Sequence, residues 1–219
     1  MDVDAHRLQA DVERIAAAPR PAESAALDSC RDDVAQCLRE AGWTVHRHEF
    51  DALSEDGRRL HGVNLVARHG EHVHADGPQF CLGAHIDSRP ESPGADDNAR
   101  AVAGMLEIAR LLPPTWPAHP KLGLELVGFD LEENMMLGGA EHARLQTEGH
   151  VDLRGMVSLE MIGYCDDAPN SQNLPRQLVG KYPDTGNFIA VIGNQNSGQL
   201  IERFAAGMQR AAGLPVETL

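Results

Sequence analysis

Short apolar runs alternate with stretches of helical spacing from residue 80 onward, and this alternation constrains the fold more than any other feature. The apolar runs at 80–86, 122–129 and 157–162 predict strands, while the spacing within 102–109 predicts a helix. Strands that alternate with helices favour a largely parallel sheet covered on both faces. The sequence therefore predicts an α/β fold with a mixed, largely parallel twisted sheet between helices.

The whole chain, residues 1–219, is predicted to form a single domain. Apolar spacing predicts N-terminal helices within 1–42 and strands at 43–50 and 62–68. A hydrophobic fraction of 42% and a charged fraction of 24% are ordinary for a globular protein. A chain of this length is sufficient for one substantial core.

Acidic and imidazole side chains stand where two of the predicted strands end. His85 and Asp87 close the first of these strands, and Glu132 and Glu133 follow the second. Asp97 follows a Gly-Ala turn and is expected to open the next helix. Because ligands bind beyond the carboxyl ends of strands in open α/β sheets, these side chains are expected to meet.

Imidazole and carboxylate groups are the ligand types that zinc takes in catalytic sites. His85 would bind through one ring nitrogen, while Asp87, on the same strand face, would accept the proton of the other. The Asp97 carboxylate could bridge two ions about 3.5 to 4 Å apart. Taken singly, a satisfied histidine or a helix N-cap is the plainer interpretation. The order of the motifs favours a two-metal hydrolase site, with one of the paired glutamates on metal and the other as base.

Four motifs resemble those of a known family. They are His-Ile-Asp-Ser at 85–88, Pro-Gly-Ala-Asp-Asp-Asn at 93–98, Phe-Asp-Leu-Glu-Glu at 129–133 with Gly-Gly-Ala after it, and Ser-Leu-Glu-Met-Ile-Gly-Tyr at 158–164. In this order they are similar to the co-catalytic zinc peptidases of metallopeptidase family 28. That family includes bacterial leucyl aminopeptidases, glutamate carboxypeptidases and glutaminyl cyclases. The resemblance runs from about residue 60 to the end of the chain and implies a metal-binding core over 60–219.

The resemblance implies a first zinc ion bound by His85, Asp97 and Glu160. Asp87 would orient the imidazole, Asp97 would bridge to a second ion, and Asp96 would face away. Glu160 stands where the family often has Asp. Its extra methylene would let the carboxylate reach the ion from a strand at 157–162 that is set slightly further back.

For the second ion, the resemblance implies Glu133 and the bridging Asp97 as ligands, with Glu132 as the general base. The family completes this position with a histidine far downstream, whereas the last histidine here is His150 and the sequence ends at Leu219. The first metal position is therefore expected to be more complete than the second. The resemblance also implies that C-terminal strands of the fold are missing.

The remaining expectations concern partners and location. A sheet edge that lacks its neighbour invites pairing with another chain, which predicts a homo-oligomer. A net charge of −14 argues against nucleic acid, since phosphate binding needs clustered Lys and Arg. No run approaches the 18 apolar residues of a membrane span, and the acidic N-terminus is unlike a signal peptide. A cytoplasmic protein is expected.

Together these features predict a zinc-dependent exopeptidase that acts on peptides, and most specifically an aminopeptidase. Two alternatives stay open. A glutaminyl-cyclase-like acyltransferase would use much the same scaffold with one zinc ion. A metal-binding or interaction domain with impaired catalysis would follow from the absent histidine.

Overall fold

The computed structural model describes residues 2–69, 77–113, 121–211 and 213–219, and it divides into two compact units, Met1–Ile162 and Gly163–Leu219. Helices and strands follow one another in both units. In the first unit they are α1 (Ala5–Ile15), α2 (Ala25–Glu40), β1 (Trp43–Leu53), β2 (Arg59–His69), β3 (Gln79–His85), α3 (Arg100–Leu111), β4 (Gly123–Phe129), α4 (Leu137–Glu148) and β5 (Leu153–Ser158). In the second they are β6 (Ile189–Val191), α5 (Gly198–Ala211) and β7 (Val216–Thr218).

The sheet of the first unit has the strand order β1-β2-β4-β3-β5. β1 with β2 and β2 with β4 are antiparallel, whereas β3 is parallel to both β4 and β5. In the second unit β6 and β7 form a parallel pair. The prediction of a mixed α/β sheet is confirmed, with its parallel part at the strands that were predicted to carry the site.

Helices cover both faces of the sheet in the first unit. Leu126 of β4 joins the main core with residues of α1, α2 and α3. Val127 and Phe129 lie in a second cluster, and Phe129 packs edge-on against His142 of α4. Because neighbouring strand residues point to opposite faces, α4 covers the side opposite α1 to α3. The prediction of a sheet between two helical layers is therefore confirmed.

One predicted strand is misplaced. The run at 157–162 was expected to be a strand, but β5 covers Leu153–Ser158 and ends two residues before Glu160. β5 is the last strand of the sheet among the described residues, and association through that edge remains a prediction. Within the described residues, no helix has both the length and the apolar character needed to cross a membrane.

An ion pair fastens α1 to α3. Glu107 of α3 accepts hydrogen bonds from Nε and Nη2 of Arg7 at 2.7 and 2.6 Å, and from the backbone N–H of Asp4 at 3.0 Å. The Arg7 hydrogen bond outweighs the opposing effect of burial, and the Asp4 N–H and the charges of Arg7 and Arg110 add to it. Together they lower the pKa of Glu107 from 4.5 to about 2. The stabilisation is therefore fully present above pH 4.5 and is lost as the pH falls towards 2.

We expect Glu107→Gln to lower the thermal midpoint at neutral pH, because the half-exposed Arg7 loses its charged partner. The variant should also lose less of its remaining stability than the wild type between pH 4.5 and 2. Circular dichroism melting curves across that range measure both effects. Glu13→Gln, on the exposed side of α1, is the control and should keep the wild-type pH profile. Parallel pH profiles for wild type and Glu107→Gln would contradict the assignment.

Candidate metal centre

The parallel strands bring three chain segments to one edge of the sheet. His85, the last residue of β3, is in register with Phe129, the last residue of β4. Gly83 of β3 is in register with Ser158, the last residue of β5. The residues that follow β4 and β5 therefore emerge beside His85.

Three carboxylates approach the Nε2 atom of His85. Its distances are 3.0 Å to Oδ1 of Asp97, 3.7 Å to Oε2 of Glu160 and 3.9 Å to Oε2 of Glu132. The donor atoms of His85, Asp97 and Glu160 all lie within 4.8 Å of one another. The structure thus brings together the three side chains that the resemblance assigned to the first ion.

Asp87 holds the other side of the imidazole. The Asp87 carbonyl oxygen lies 3.2 Å from Nδ1 of His85, and Oδ1 of Asp87 lies 3.3 Å from the same nitrogen. Oδ1 also accepts a hydrogen bond from the backbone N–H of Glu132 at 3.0 Å. Its Oδ2 accepts from the N–H of Glu133 at 3.1 Å. The Asp87 side chain is only 1% exposed. Asp87 therefore orients the histidine through its carbonyl and its carboxylate, and the same carboxylate fixes the backbone that carries both glutamates.

The two glutamates lie in a tight loop between β4 and α4. Leu131, Met135 and Met136 all have left-handed backbone conformations, with φ of 53°, 67° and 57°. Such conformations are strained for residues with a side chain and cluster at functional sites. The loop turns Glu132 towards His85, and Glu133 is only 10% exposed.

Two arginines pair with acidic residues around the centre. Arg89 donates through Nε to Oε2 of Glu133 at 2.9 Å, and its own side chain is 64% exposed. Arg100 pairs with Oδ1 of Asp96 at 3.3 Å, so Asp96 is engaged with α3 rather than with His85. Glu133 is not part of the group of three close donors around His85.

Asp97 does not open a helix as the sequence predicted. It lies in a short turn, Ala95–Ala99, with non-helical φ and ψ of −105° and 87°, and α3 begins only at Arg100. Gly94 has φ of 61°, and a Cβ there would lie 2.2 Å from the Asp97 carbonyl oxygen. The tight turn at Gly94 directs the Asp97 carboxylate to His85, where an N-cap would have directed it to backbone N–H groups.

Glu160 is held by Asn98, a residue that the sequence analysis left without a role. The buried Asn98 donates through Nδ2 to Oε2 of Glu160 at 3.1 Å and to the carbonyl of Leu159 at 2.9 Å. Its Oδ1 accepts from the N–H of Met161 at 3.2 Å. The carboxylate is therefore positioned from a loop after β5, and the expectation that it projects from a strand is wrong.

Arg20 is a second residue that the sequence analysis missed. Its guanidinium is buried and donates to the carbonyls of Ile15, Ile86 and Pro93 at 2.8, 3.0 and 2.6 Å. Its backbone N–H donates to Oγ of Ser88. These bonds fasten the loop between β3 and Gly94, and no sequence pattern marks them, because Arg20 lies far from the motif along the chain.

The electrostatics of the centre favour a positive charge. Burial disfavours the imidazolium of His85, but hydrogen bonds and charges from Asp87 and Glu160 outweigh it and raise its pKa to about 11. Burial raises the pKa of Glu132, and the charges of Asp87, Glu160 and Glu133 add to the rise while His85 opposes it. Crowded carboxylates around one imidazole nitrogen are the surroundings that a divalent cation neutralises.

The donor set fits one divalent cation held by His85, Asp97 and Glu160, with an open side for water. For a second ion, Asp97 and Glu133 are available, and Glu133 is already paired with Arg89. Among the described residues at this edge of the sheet, no second group of three close donors is present. The residues therefore fit the first ion and do not by themselves complete a site for the second.

Another group with metal-ligand chemistry lies inside the first unit. Cys81, Glu125 and His142 are all buried and have donor atoms within 4.8 Å of one another. Glu125 is paired with His142 at 2.9 Å and with Arg68. Burial raises the pKa of the Cys81 thiol to about 12, and the charge of Glu125 adds to the rise. A protonated thiol beside a compensated carboxylate indicates a structural ion-pair network under α4.

Fold and donor set together define an α/β protein with a candidate metal centre at the carboxyl edge of its parallel strands. The chain belongs to peptidase family M28, whose model matches residues 64–203. The resemblance seen in the motifs is thereby confirmed.

Two relatives extend this comparison. The uncharacterized protein YfbL of Escherichia coli is 41% identical over 170 residues, which are 71% of this chain and 50% of that protein. A probable zinc metalloprotease of Pyrenophora teres f. teres is 34% identical over 137 residues, which are 57% of this chain and 28% of the relative. The chain thus spans half the length of the first relative and less of the second.

Solved structures of similar fold include enzymes of two kinds. A glutaminyl cyclase of Porphyromonas gingivalis is 25% identical with a TM-score of 0.66, covering 76% of this chain and 63% of that one. A leucine aminopeptidase precursor from Bacteroides thetaiotaomicron is 19% identical with a TM-score of 0.76, covering 97% and 74%. The second likeness shows the fold alone.

Proposed function

We propose that this protein is a zinc-dependent exopeptidase, and specifically an aminopeptidase that hydrolyses the N-terminal peptide bond. The observation that carries the proposal is the convergence of Asp97, Glu160 and Glu132 on Nε2 of His85. Membership of peptidase family M28 supports it, as does a relative described as a probable zinc metalloprotease.

In this proposal His85, Asp97 and Glu160 hold the zinc ion, and Asp87 positions the imidazole. When bound, the ion would act as a Lewis acid on the scissile carbonyl and lower the pKa of the attacking water. Glu132 takes the proton from that water and delivers it to the leaving amine. Glu132 is placed for this transfer because its Oε2 lies 3.9 Å from Nε2 of His85, on the side where the ion would be held.

The acidic surroundings of the site suit a substrate with a free α-amino group. Asp97, Glu160 and Glu132 are 41%, 49% and 36% exposed, so a cationic amine that reaches the open side of the centre meets carboxylates that are not paired with Arg89. A free amine held there would place the first peptide bond next to Glu132 and leave internal bonds out of reach. This is the basis on which we prefer an aminopeptidase to an endopeptidase.

The test compares two peptides that differ only at their N-terminus. The zinc-loaded protein should release the first residue from a short peptide with a free amine, and should leave the N-acetylated peptide at least about tenfold less cleaved. Release of amino acids is followed by mass spectrometry. Equal cleavage of both peptides would contradict the aminopeptidase assignment, and release from the C-terminus would point to a carboxypeptidase.

A glutaminyl-cyclase-like acyltransferase is the second candidate, favoured by the solved cyclase at 25% identity. A peptide that begins with Gln separates the two reactions, because cyclisation releases ammonia and leaves the chain one residue longer than hydrolysis does. A protein that binds zinc stoichiometrically and acts on neither peptide would instead be a metal-binding or interaction domain.

A further inference from the structure

We propose that the guanidinium of Arg89 takes the place of a second divalent cation at Glu133, so that the centre binds its second ion weakly. The contact is direct, since Nε of Arg89 donates to Oε2 of Glu133 at 2.9 Å. This inference rests on the metal centre of the proposed function and concerns how many ions that centre holds.

The pair differs from an ordinary surface salt bridge. Exposed pairs contribute little, because both long side chains must be ordered and water screens the charges. Glu133 is only 10% exposed, and its backbone N–H is fixed by Oδ2 of Asp87. The carboxylate is thus ordered before Arg89 binds it, and only the arginine side chain loses freedom.

Glu133 also needs a positive partner. Its largely buried carboxylate lies within the field of the Asp97 charge, and Arg89 is its ion-pair partner at 2.9 Å. In the structure Arg89 supplies the charge that a cation between Asp97 and Glu133 would supply. A divalent ion at that position must displace the guanidinium or bind close to the positive charge of Arg89. Either course reduces the affinity of the centre for the ion.

Competition of this kind is reciprocal. Removing Arg89 should therefore raise the affinity for the second ion by a factor set by the coupling between Arg89 and that ion. We expect Arg89→Gln to bind a second zinc ion at about tenfold lower free zinc than the wild type, with the first ion unchanged. Equilibrium dialysis of the 219-residue protein against buffered zinc, followed by elemental analysis, counts the ions per chain. Binding is measured below the melting transition of each variant, which circular dichroism determines.

Two further variants make the result specific. Arg100→Gln removes a nearby guanidinium that pairs with Asp96 instead of Glu133, and should bind zinc as the wild type does. Adding Glu133→Gln to Arg89→Gln should abolish the gain, because the freed carboxylate is no longer present. This double variant assigns the second ion to one side chain.

Three outcomes would overturn the inference: two ions of similar affinity in the wild type, no gain in Arg89→Gln, or an equal gain in Arg100→Gln. A gain confined to Arg89→Gln supports it. The readout is metal binding alone, so the inference can stand or fall while peptide hydrolysis decides the proposed function separately.

Discussion

Glu132→Gln should lower kcat by about a thousandfold while the protein keeps its zinc. Positioned general bases contribute on the order of 10² to 10⁴ in rate. The amide has the size of the carboxylate but cannot accept the proton of the attacking water. The bond between the residue's backbone N–H and Asp87 is retained, so the loop should keep its position.

Zinc content and turnover must be measured on the same samples. His85, Asp97 and Glu160 remain intact in the variant, which is why the first ion should stay bound. Glu91→Gln is a matched control, because it removes an exposed carboxylate from the loop after β3. Wild-type activity in Glu132→Gln would exclude Glu132 as the base. Loss of the zinc ion would indicate instead that Glu132 is a metal ligand.

The positions of the main site residues were predictable because each follows an apolar strand. His85 ends β3, and Glu132 lies three residues after the end of β4, which is parallel to β3 and in register with it. Parallel pairing sends the carboxyl ends of strands to one edge, so a correct assignment of strands places their polar ends together. Apolar runs and their polar ends are visible in the sequence.

The boundary of β5 was not predictable, because a distant side chain decides it. The alternation of apolar and polar residues through 157–162 is typical of a strand, and Leu159 still donates its N–H to the carbonyl of Gly83. Beyond that point Asn98 binds the Leu159 carbonyl and the Met161 N–H. Backbone groups that would have paired with a neighbouring strand are satisfied by this amide, and the strand ends.

The contacts between the site residues could also not be predicted from the sequence. Arg89 and Glu133 are 44 positions apart, and no local pattern predicts that they meet. Asp97 matched the usual N-cap pattern before a helix, but Gly94 turns it towards His85 instead. Pattern reasoning identifies the candidate residues of the site, whereas the loops that follow the strands determine their contacts.

Asp87→Asn should weaken zinc binding by about 10- to 100-fold, the usual effect of losing a partner that orients a metal ligand. It should also lower kcat when zinc is saturating. Oδ1 of Asp87 faces His85 and the N–H of Glu132, and Oδ2 accepts from the N–H of Glu133. An amide offers one acceptor and one donor group. At the position of either Oδ1 or Oδ2, the NH₂ group must therefore face an N–H donor. Either the imidazole or the loop that carries the glutamates then loses its acceptor.

Asp130→Asn separates this effect from a general loss of stability. Asp130 is as buried as Asp87, accepts from the N–H groups of Val63 and Leu131, and pairs with Arg31. Breaking that buried pair should cost about 3 kcal/mol of unfolding free energy. Because Asp130 does not contact the donor group, zinc affinity of the folded protein should stay at the wild-type value.

The comparison of the two variants decides what Asp87 does. If its role is to position the centre, Asp87→Asn loses zinc affinity and turnover, while Asp130→Asn loses only thermal stability. Competition with a chelating dye measures affinity below the melting transition, where both variants are folded. If Asp87→Asn has a lower thermal midpoint but binds zinc as the wild type does, the role of Asp87 is structural. Its bonds to the Glu132 and Glu133 N–H groups would then be its main contribution.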